Sequence, residues 1–373
     1  MNNPFIFSGH VTGKCFCNRV REQEKLLQYI KSSQNILLYA HRRQGKSSLI
    51  KQIFQNIRDQ KIRIKCLYID IYGTTSEQDF IALTFKQLHF LESSTNKLLK
   101  LLKKTVSGIS IEMAIDPVSE DITFSPVFKS VSKEILLSNL MEMLYMYSKK
   151  QKIVIVFDEF QEISKYDNSE SFEKRLRSHV QSHDHISYIF SGSQQHLLNE
   201  MFNSPGRAFY KQTESFPLKK IETYHYVKWA GDFFKASKMT VSDDDIAEII
   251  TRLDNHPLYI QLFCFSLWEY LKKNQLGQNT IDEIEKEMIQ NRNSEYLTIW
   301  ENLTLNQKKT LKAIILKDGR NLYNSEILQT LELKTASVVT RSLKSLMQKE
   351  IIVKNGNYSI QDVLFKKWVS QFI

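Results

Sequence analysis

Residues 36–54 read ILLYAHRRQGKSSLIKQIF, in which a strand-like run, a polar turn and a helix-like run follow one another without interruption. The first run is short, apolar and bounded by polar residues, as in a buried strand. After the turn, apolar residues recur at the i, i+3, i+4 spacing of a helix with one buried face, at Leu49, Ile50, Ile53, Phe54 and Ile57. A Gly-Lys-Ser/Thr tripeptide occurs by chance in roughly one chain in five of this length, so the strand–turn–helix setting carries the argument.

The turn has the composition of a loop that binds phosphate. Its backbone N–H groups are expected to point inward as an anion nest, which the positive end of the following helix reinforces. Gly45 lets the backbone approach the phosphates, Lys46 is expected to bridge the β- and γ-phosphates, and the Ser47 hydroxyl to ligate Mg²⁺. Ala40 stands at the first glycine position of such loops, which alanine fits only if its φ stays negative. The predicted nucleotide-binding residues here are Ala40, Arg42, Arg43, Gln44, Gly45, Lys46, Ser47 and Ser48.

A second motif supports the same interpretation. KQKIVIVFDEFQEI, residues 150–163, is an apolar strand that ends in two acids. Both faces of the strand are apolar, as in a central parallel strand covered by helices. Asp158 at its tip is placed to hold the water shell of Mg²⁺, and Glu159 to polarise an attacking water. The alternative is a buried strand capped by solvated acids, but the pair of motifs favours a nucleotide site.

Strand-like and helix-like segments alternate through the first part of the chain. The strands are predicted at 36–40, 65–71, 153–158 and 186–191, and the helices at 46–59, 76–91, 131–149 and 170–181. This alternation predicts an α/β fold with a parallel sheet and helices on both faces. Residues 107–128 alternate apolar and polar on both sides of Asp116-Pro117, which predicts a β-hairpin insertion.

Two further groups are candidates for contact with the γ-phosphate. The strand beside the Asp-Glu strand ends in SGS, so Ser191 or Ser193 is placed to sense the phosphate, and Ser191 is the primary candidate. Arg207 lies in a turn-forming SPGR segment, where its charge would stabilise the transition state if it lay near the phosphate. A purely structural turn arginine explains Arg207 equally well.

The rest of the chain differs in composition and pattern. Helical patterns alone fill the range from 222 to about 293, which predicts a small helical bundle. From about 301 onward, three helical patterns precede a hairpin that turns at Asn355-Gly356, the layout of a winged helix. Residues 299–373 carry 12 Lys and Arg against 6 acids. Arg341 and Lys344 are expected to face outward from the helix that would enter a DNA major groove, although winged helices also contact proteins.

These patterns define three predicted domains: an α/β core at 1–221, a helical domain at 222–298 and a winged helix at 299–373. The chain of 373 residues has a formal net charge of +10, which favours a polyanionic partner without specifying it. Four scattered cysteines indicate reduced thiols, and no apolar run is long enough to cross a bilayer. We therefore expect a cytoplasmic protein with no membrane partner.

Taken in order, these motifs resemble the archaeal-type ATPases, a branch of the AAA+/STAND P-loop NTPases. The resemblance runs from FCNRVREQEKLL to the C-terminus and includes RRQGKSSLI, IVFDEFQEI, FSGSQQHLL and GRAFYKQ. NHPLYIQLF resembles the Gly-x-Pro element of the family's helical lid. The resemblance implies an ASCE/AAA+-like P-loop core with a helical lid and a C-terminal winged helix.

The resemblance also assigns roles to residues. It implies that Phe16, Arg19 and Pro257 contact the adenine side of the nucleotide. Lys46 and Ser47 would bind phosphate and Mg²⁺, Asp158 would hold Mg²⁺, and Glu159 would activate water. Arg207 would be the arginine finger, in cis or in trans.

The leading functional hypothesis is a Mg²⁺-dependent ATPase switch, slow or stimulated by a partner. ATP bound between core and lid would fix their orientation, and hydrolysis would release it. The winged helix would then report the ATP or ADP state to double-stranded DNA, to a protein partner or to a second copy of the chain. Two alternatives are a non-catalytic nucleotide-gated scaffold and a DNA-binding regulator with a vestigial P-loop. The presence of both Asp158 and Glu159 favours the enzyme.

Overall fold

The computed structural model describes residues 2–91, 109–115, 122–128, 132–333 and 335–373. The chain divides into two compact units, one formed by His10–Lys219 and the other by Met1–Gly9 together with Lys220–Ile373. None of the described helices is both long enough and apolar enough to cross a membrane.

The unit His10–Lys219 is built on a five-stranded parallel sheet. Its strands are β1 (Ile36–Tyr39), β2 (Lys65–Asp70), β5 (Ile153–Asp158), β6 (Ile186–Gly192) and β7 (Glu214–Pro217). The order across the sheet is β2-β5-β6-β1-β7, and every pairing is parallel. Strand β6 therefore lies between the strand that leads into the phosphate loop and the strand that ends in Asp158. This sheet confirms the predicted α/β fold.

Helices cover both faces of the sheet because the strands are apolar on both faces. All six residues of β5 are buried, and alternate residues enter two separate cores. One core contains Ile153, Ile155 and Phe157, and the other contains Val154 and Val156. The first is completed by α3 (Glu77–Gln87), α4 (Lys133–Ser148), α5 (Ser169–Ser182) and α6 (Gln195–Asn203), and the second by α1 (Val20–Lys31) and α2 (Lys46–Asp59).

Two features of this unit lie outside the regular alternation. Strand β7 was not predicted from the sequence, because it has only four residues and buries only Phe216 at the sheet edge. Strands β3 (Ile109–Ile115) and β4 (Ile122–Phe128) form an antiparallel pair within the range where the sequence predicts a hairpin. The predicted turn at Asp116-Pro117 lies outside the described residues.

A buried histidine stands in the core beside β6. The ring of His183 stacks on Tyr145 with centroids 4.9 Å apart, and its Nδ1 lies 2.7 Å from the Tyr188 hydroxyl. Burial lowers the pKa of His183 to about 4, and the charge of His179 adds to this effect. His183 is therefore a neutral core residue, and the described residues contain no cluster of three or more His, Cys, Asp or Glu that could hold a metal ion.

This histidine makes the stability of the fold depend on pH. The unfolded chain binds a proton on His183 near its ordinary pKa of 6.5, whereas the folded chain does so only near 4. The contribution of neutral His183 to the free energy of unfolding is therefore complete above pH 6.5. It is lost as the pH falls toward 4, by about 2 kcal/mol between pH 7 and 5.

We expect the free energy of unfolding of His183→Gln, measured with urea, to depend less on pH over that range than that of the wild type. His185→Gln, which alters a half-exposed neighbour, should leave the slope unchanged; equal slopes in all three proteins would contradict the assignment.

The other unit begins with a bundle of helices: α7 (Thr223–Ala236), α8 (Asp243–Arg252), α9 (Pro257–Leu271), α10 (Thr280–Gln290) and α11 (Asn293–Glu301). A capping box at Ser242 and Asp245 starts α8, and Pro257 occupies the first turn of α9, where its missing N–H costs nothing. The N-terminal segment packs on this bundle because Phe5 is buried against Trp229, Phe233 and Phe234.

The C-terminal part of this unit is the predicted winged helix. It comprises α12 (Leu305–Leu316), α13 (Ser325–Thr330), α14 (Ala336–Gln348), β8 (Ile352–Asn355), β9 (Asn357–Ile360) and α15 (Val363–Ser370). The hairpin turns at Gly356, whose φ of 76° suits glycine. Its strand β9 passes so close to Gly319 that an added Cβ would lie 1.7 Å from the Tyr358 carbonyl oxygen.

One carboxylate joins the winged helix to the bundle. Asp362 caps α15 by accepting from the backbone of Leu364 and Phe365. The same carboxylate accepts a hydrogen bond from the Tyr259 hydroxyl of α9, and the Tyr296 hydroxyl of α11 lies 3.5 Å away. A second link runs from Lys367 to Glu285 of α10 at 2.7 Å. The bundle and the winged helix are thus connected through buried and partly buried polar groups.

Candidate nucleotide site

The phosphate loop joins β1 to α2 at the carboxyl edge of the sheet. Within it, Arg43 and Gly45 have positive φ, at 62° and 86°, and Ala40 does not. Alanine is therefore compatible with the first position of the loop. No described atom lies within 4 Å of a Cβ added to Gly45, so its backbone conformation, and not crowding by the protein, explains the glycine.

The side chains of the loop separate into buried and exposed groups. Gln44 and Lys46 are buried, whereas Arg42 and Arg43 are exposed. The Ser48 hydroxyl accepts a hydrogen bond from the Val11 backbone at 3.1 Å, so it also anchors the segment before α1. The nucleotide contacts predicted for these residues stay predictions.

The Asp-Glu strand meets the start of α2. Lys46, the first residue of α2, places its Nζ 3.6 Å from Glu159 Oε1. Ser47 Oγ donates to Asp158 Oδ2 at 2.9 Å. The structure therefore brings together the four residues that the sequence assigned to phosphate, cation and water.

Asp158 is held in its charged form although it is almost fully buried. Burial alone would raise the pKa of this carboxyl. The Lys46 ammonium and the hydroxyls of Tyr68, Ser191 and Ser47 together outweigh that effect and hold the pKa below its usual value. Tyr68 of β2, which the sequence analysis did not single out, donates its hydroxyl to Asp158 Oδ2. An ionised carboxylate at this position suits a divalent cation.

Glu159 has an unusual backbone for its residue type. Its φ of 54° and ψ of 43° are left-handed, a conformation that costs a non-glycine residue on the order of 1–3 kcal/mol. Its backbone N–H donates to Asp158 Oδ1 at 3.1 Å, and its carbonyl accepts from Glu162 at 2.9 Å. These contacts hold the turn that directs the Glu159 side chain toward Lys46.

The two candidate sensor serines have different surroundings. Ser191 lies within β6, is fully buried and comes close to Asp158, but its hydroxyl has no hydrogen bond of good geometry with the described residues. Ser193 follows the strand and donates its hydroxyl to Glu159 Oε2 at 2.9 Å. Ser193 is thus the serine that contacts the predicted water-activating group.

Arg207 pairs with carboxylates in the same unit. Its guanidinium lies 2.5 Å from Glu173 Oε1 and 3.3 Å from Glu200 Oε1. Glu173 is 1% exposed, and burial raises the pKa of its carboxyl although Arg207 opposes that shift. These contacts support a structural role for Arg207, and its role as an arginine finger stays a prediction.

The predicted adenine-side residues fall in both units. Phe16 packs on the core formed by α1 and α2. Arg19 precedes α1 with a φ of 66°, is 3% exposed, and donates to the Lys219 carbonyl and to Glu22. Its Nη2 has no hydrogen-bond partner among the described residues, and its predicted contact with the nucleotide stays a prediction. Pro257 belongs to the other unit, and its adenine contact stays a prediction.

The residues present fit a Mg²⁺–nucleotide pair. The Ser47 hydroxyl and the ionised Asp158 carboxylate are oxygen donors of the kind that Mg²⁺ prefers, and Mg²⁺ commonly takes its other ligands from phosphates and water. A buried lysine at the N-terminus of α2 suits the phosphates themselves. Fold and site together define a P-loop NTPase.

Comparison with known protein families identifies the family of each part of the chain. Residues 16–263 match the family described as an ATPase domain predominantly from Archaea, and residues 294–371 match a probable winged helix domain. The chain belongs to this archaeal-type ATPase family. A comparison with curated proteins gives no match.

Solved structures share the fold over nearly the whole length. The Walker-type ATPase paby2304 of Pyrococcus abyssi has a TM-score of 0.70 and 18% identity, covering 98% of this chain and 99% of that one. The ORC2 protein of Aeropyrum pernix, in ADPNP-ADP complexes, has a TM-score of 0.57 and 12% identity, covering 98% and 95%. At these identities the similarity shows the fold alone.

Proposed function

We propose that this protein is a Mg²⁺-dependent ATPase that acts as a molecular switch of the AAA+/STAND type. The observation that carries the proposal is the convergence of Lys46, Ser47, Asp158 and Glu159 at the carboxyl edge of the sheet. A phosphate loop alone would support binding, whereas an additional carboxylate beside the lysine supplies a base for hydrolysis.

Each residue has a separate task in this proposal. The backbone of the loop and Lys46 hold the phosphates, and Ser47 and Asp158 would hold Mg²⁺, which supplies charge neutralisation at the phosphate oxygens when bound. Glu159 accepts a hydrogen bond from the attacking water and takes its proton. Ser193 is better placed than Ser191 to respond to the γ-phosphate, because its hydroxyl is at the end of the strand and already contacts Glu159.

We further propose that the winged helix reads out the nucleotide state by contacting double-stranded DNA, with a protein partner or a second copy of the chain as the alternative. Thr340, Arg341 and Lys344 are exposed on α14, while Val339 and Leu343 face the core. The amphipathic arrangement leaves a polar, positively charged face available for phosphates and base edges.

The test is ATP turnover by the purified chain with Mg²⁺, with and without duplex DNA. We expect slow turnover that DNA stimulates, and nucleotide-dependent binding of a labelled duplex, measured by fluorescence anisotropy.

Arg341→Gln combined with Lys344→Gln should weaken duplex binding. It should also reduce the slope of the logarithm of the binding constant against the logarithm of the salt concentration by about 1.8. Lys273→Gln with Lys286→Gln, which removes two exposed charges from the bundle, serves as the control. Nucleotide binding with no turnover under any condition would favour the non-catalytic scaffold instead.

Arg207→Ala is expected to destabilise the α/β unit by about 3 kcal/mol, because it leaves the buried Glu173 carboxylate without its closest cation. Urea unfolding measures this loss. Arg207→Met combined with Glu173→Leu should recover most of the stability, since it removes both charges. Unchanged stability in Arg207→Ala would contradict the structural role.

The same variants test the arginine-finger role. An ATPase defect that persists in the stable double variant would identify Arg207 as an arginine finger, and a dependence of turnover on protein concentration would place it in trans.

A further inference from the structure

Two neutral donors hold one oxygen of the Glu159 carboxylate. Gln161 Nε2 donates to Oε2 at 2.6 Å, and Ser193 Oγ donates to the same oxygen at 2.9 Å. The other oxygen, Oε1, is the one that lies 3.6 Å from Lys46 Nζ. The carboxylate is therefore oriented, with Oε2 held by the protein and Oε1 directed to the phosphate-binding side.

The side chain of Gln161 makes this contact although its own carbonyl oxygen is left without a hydrogen bond. Its side chain is 1% exposed, and its Oε1 has no hydrogen-bond partner among the residues that the structure describes. A buried amide oxygen without a partner is unfavourable by about 1–3 kcal/mol. Stability of the fold alone does not explain a glutamine here, because an apolar side chain of similar size would avoid that cost.

The space for this amide comes from a glycine on the neighbouring strand. A Cβ added to Gly192, the last residue of β6, would lie 2.0 Å from Gln161 Oε1. The φ of Gly192 is not in the left-handed region, so its backbone conformation does not require glycine. Glycine at this position leaves room for the Gln161 carboxamide, and any side chain would displace it.

The chemistry of an amide suits this task. An amide N–H donates a hydrogen bond without carrying a charge, so it fixes the carboxylate without forming an ion pair. A lysine or arginine at 161 would neutralise Glu159 and lower its basicity, and a carboxylic acid would compete for the same proton. Ser193 has a single hydroxyl proton, so donation to a phosphate would leave Gln161 as the remaining donor to Oε2.

We propose that Gln161 is a positioning residue that orients Glu159 for water activation, and that Gly192 provides the space it needs. The proposal rests on the ATPase function proposed above. Gln161 acts through Glu159 and does not itself touch the reacting atoms.

The experiment compares Gln161→Leu, Gly192→Ala, the double variant and the wild type. We expect each single variant to lower kcat by about 10-fold or more, because a displacement of about 1 Å can cost 100-fold. The KM for ATP and the affinity for a non-hydrolysable analogue should change little. The double variant should be no worse than the single ones, since both act on the same amide. Ser164→Ala, which removes a hydrogen bond to the Gln161 backbone carbonyl and not to its side chain, should keep wild-type kcat.

Crystal structures of the same variants provide a readout that does not depend on turnover. The Glu159 carboxylate should be displaced in Gln161→Leu and Gly192→Ala and unchanged in Ser164→Ala. Lower melting temperatures with an unmoved carboxylate and wild-type kcat would overturn the proposal and leave Gln161 with a structural role. If the wild type does not hydrolyse ATP, the ATPase proposal fails by itself, and the carboxylate positions still decide whether Gln161 orients Glu159.

Discussion

Glu159→Gln is expected to lower kcat for ATP hydrolysis by about 100-fold or more while leaving ATP affinity within about 3-fold of the wild type. The glutamine has nearly the volume of glutamate, so the turn after β5 and the hydrogen bonds from Gln161 and Ser193 retain an acceptor oxygen. It cannot accept the proton of the attacking water. The loss should therefore fall on the chemical step and not on binding.

The measurement pairs steady-state turnover with direct binding of ATP by calorimetry. Glu162→Gln is the matched control, since Glu162 lies in the short 3₁₀ helix Phe160–Lys165 that directly follows Glu159 and pairs with Lys165 at 2.8 Å. That variant should keep wild-type turnover. Turnover by Glu159→Gln equal to that of the wild type would remove Glu159 from the role of base and direct attention to another group.

Lys46→Ala is expected to weaken nucleotide binding by about 100-fold or more, which corresponds to about 2.8 kcal/mol. The ammonium is buried at the start of α2, where low solvent exposure strengthens its attraction for phosphate oxygens. Lys46→Arg keeps the charge but presents a larger planar group, so we expect it to bind poorly as well.

Titration with a fluorescent ATP analogue measures both variants. Arg58→Ala removes a positive charge from the exposed far end of the same helix and should retain wild-type affinity. Because Lys46 also lowers the pKa of Asp158, a thermal melt must show that the variant is folded. Unchanged affinity in folded Lys46→Ala would exclude the loop as the nucleotide site.

The sequence predicts that Lys46, Ser47, Asp158 and Glu159 lie together, as the structure shows, because each of the two motifs is local. The loop lies between one strand and one helix, and the acids of the second motif directly follow a strand, so spacing alone places them. Ala40 illustrates the limit of such a pattern. Its identity departs from the usual loop, and only its backbone conformation shows that the departure is compatible with the fold.

The contacts around Glu159 could not be predicted in this way. Ser193 reaches Glu159 from a different strand, 34 residues away in the chain. Gln161 is near in sequence, but the role proposed for it depends on the room that Gly192 leaves for its carboxamide, which becomes visible only when β5 and β6 pair. The partner of Arg207 could not be predicted either. The sequence shows a turn with a positive charge, but it does not show that this charge pairs with the buried Glu173.

The carboxylate of Asp362 has a consequence for how the C-terminal unit unfolds. It caps α15 and receives the Tyr259 hydroxyl of α9, so fraying of α15 exposes a buried tyrosine hydroxyl in the bundle. Local unfolding of α15 or of α9 therefore requires the free energy of breaking the hydrogen bonds that both helices make with Asp362. Their slowest amide protons should exchange with solvent through one shared event, so that the bundle and the winged helix behave as a single cooperative segment and not as two domains on a hinge.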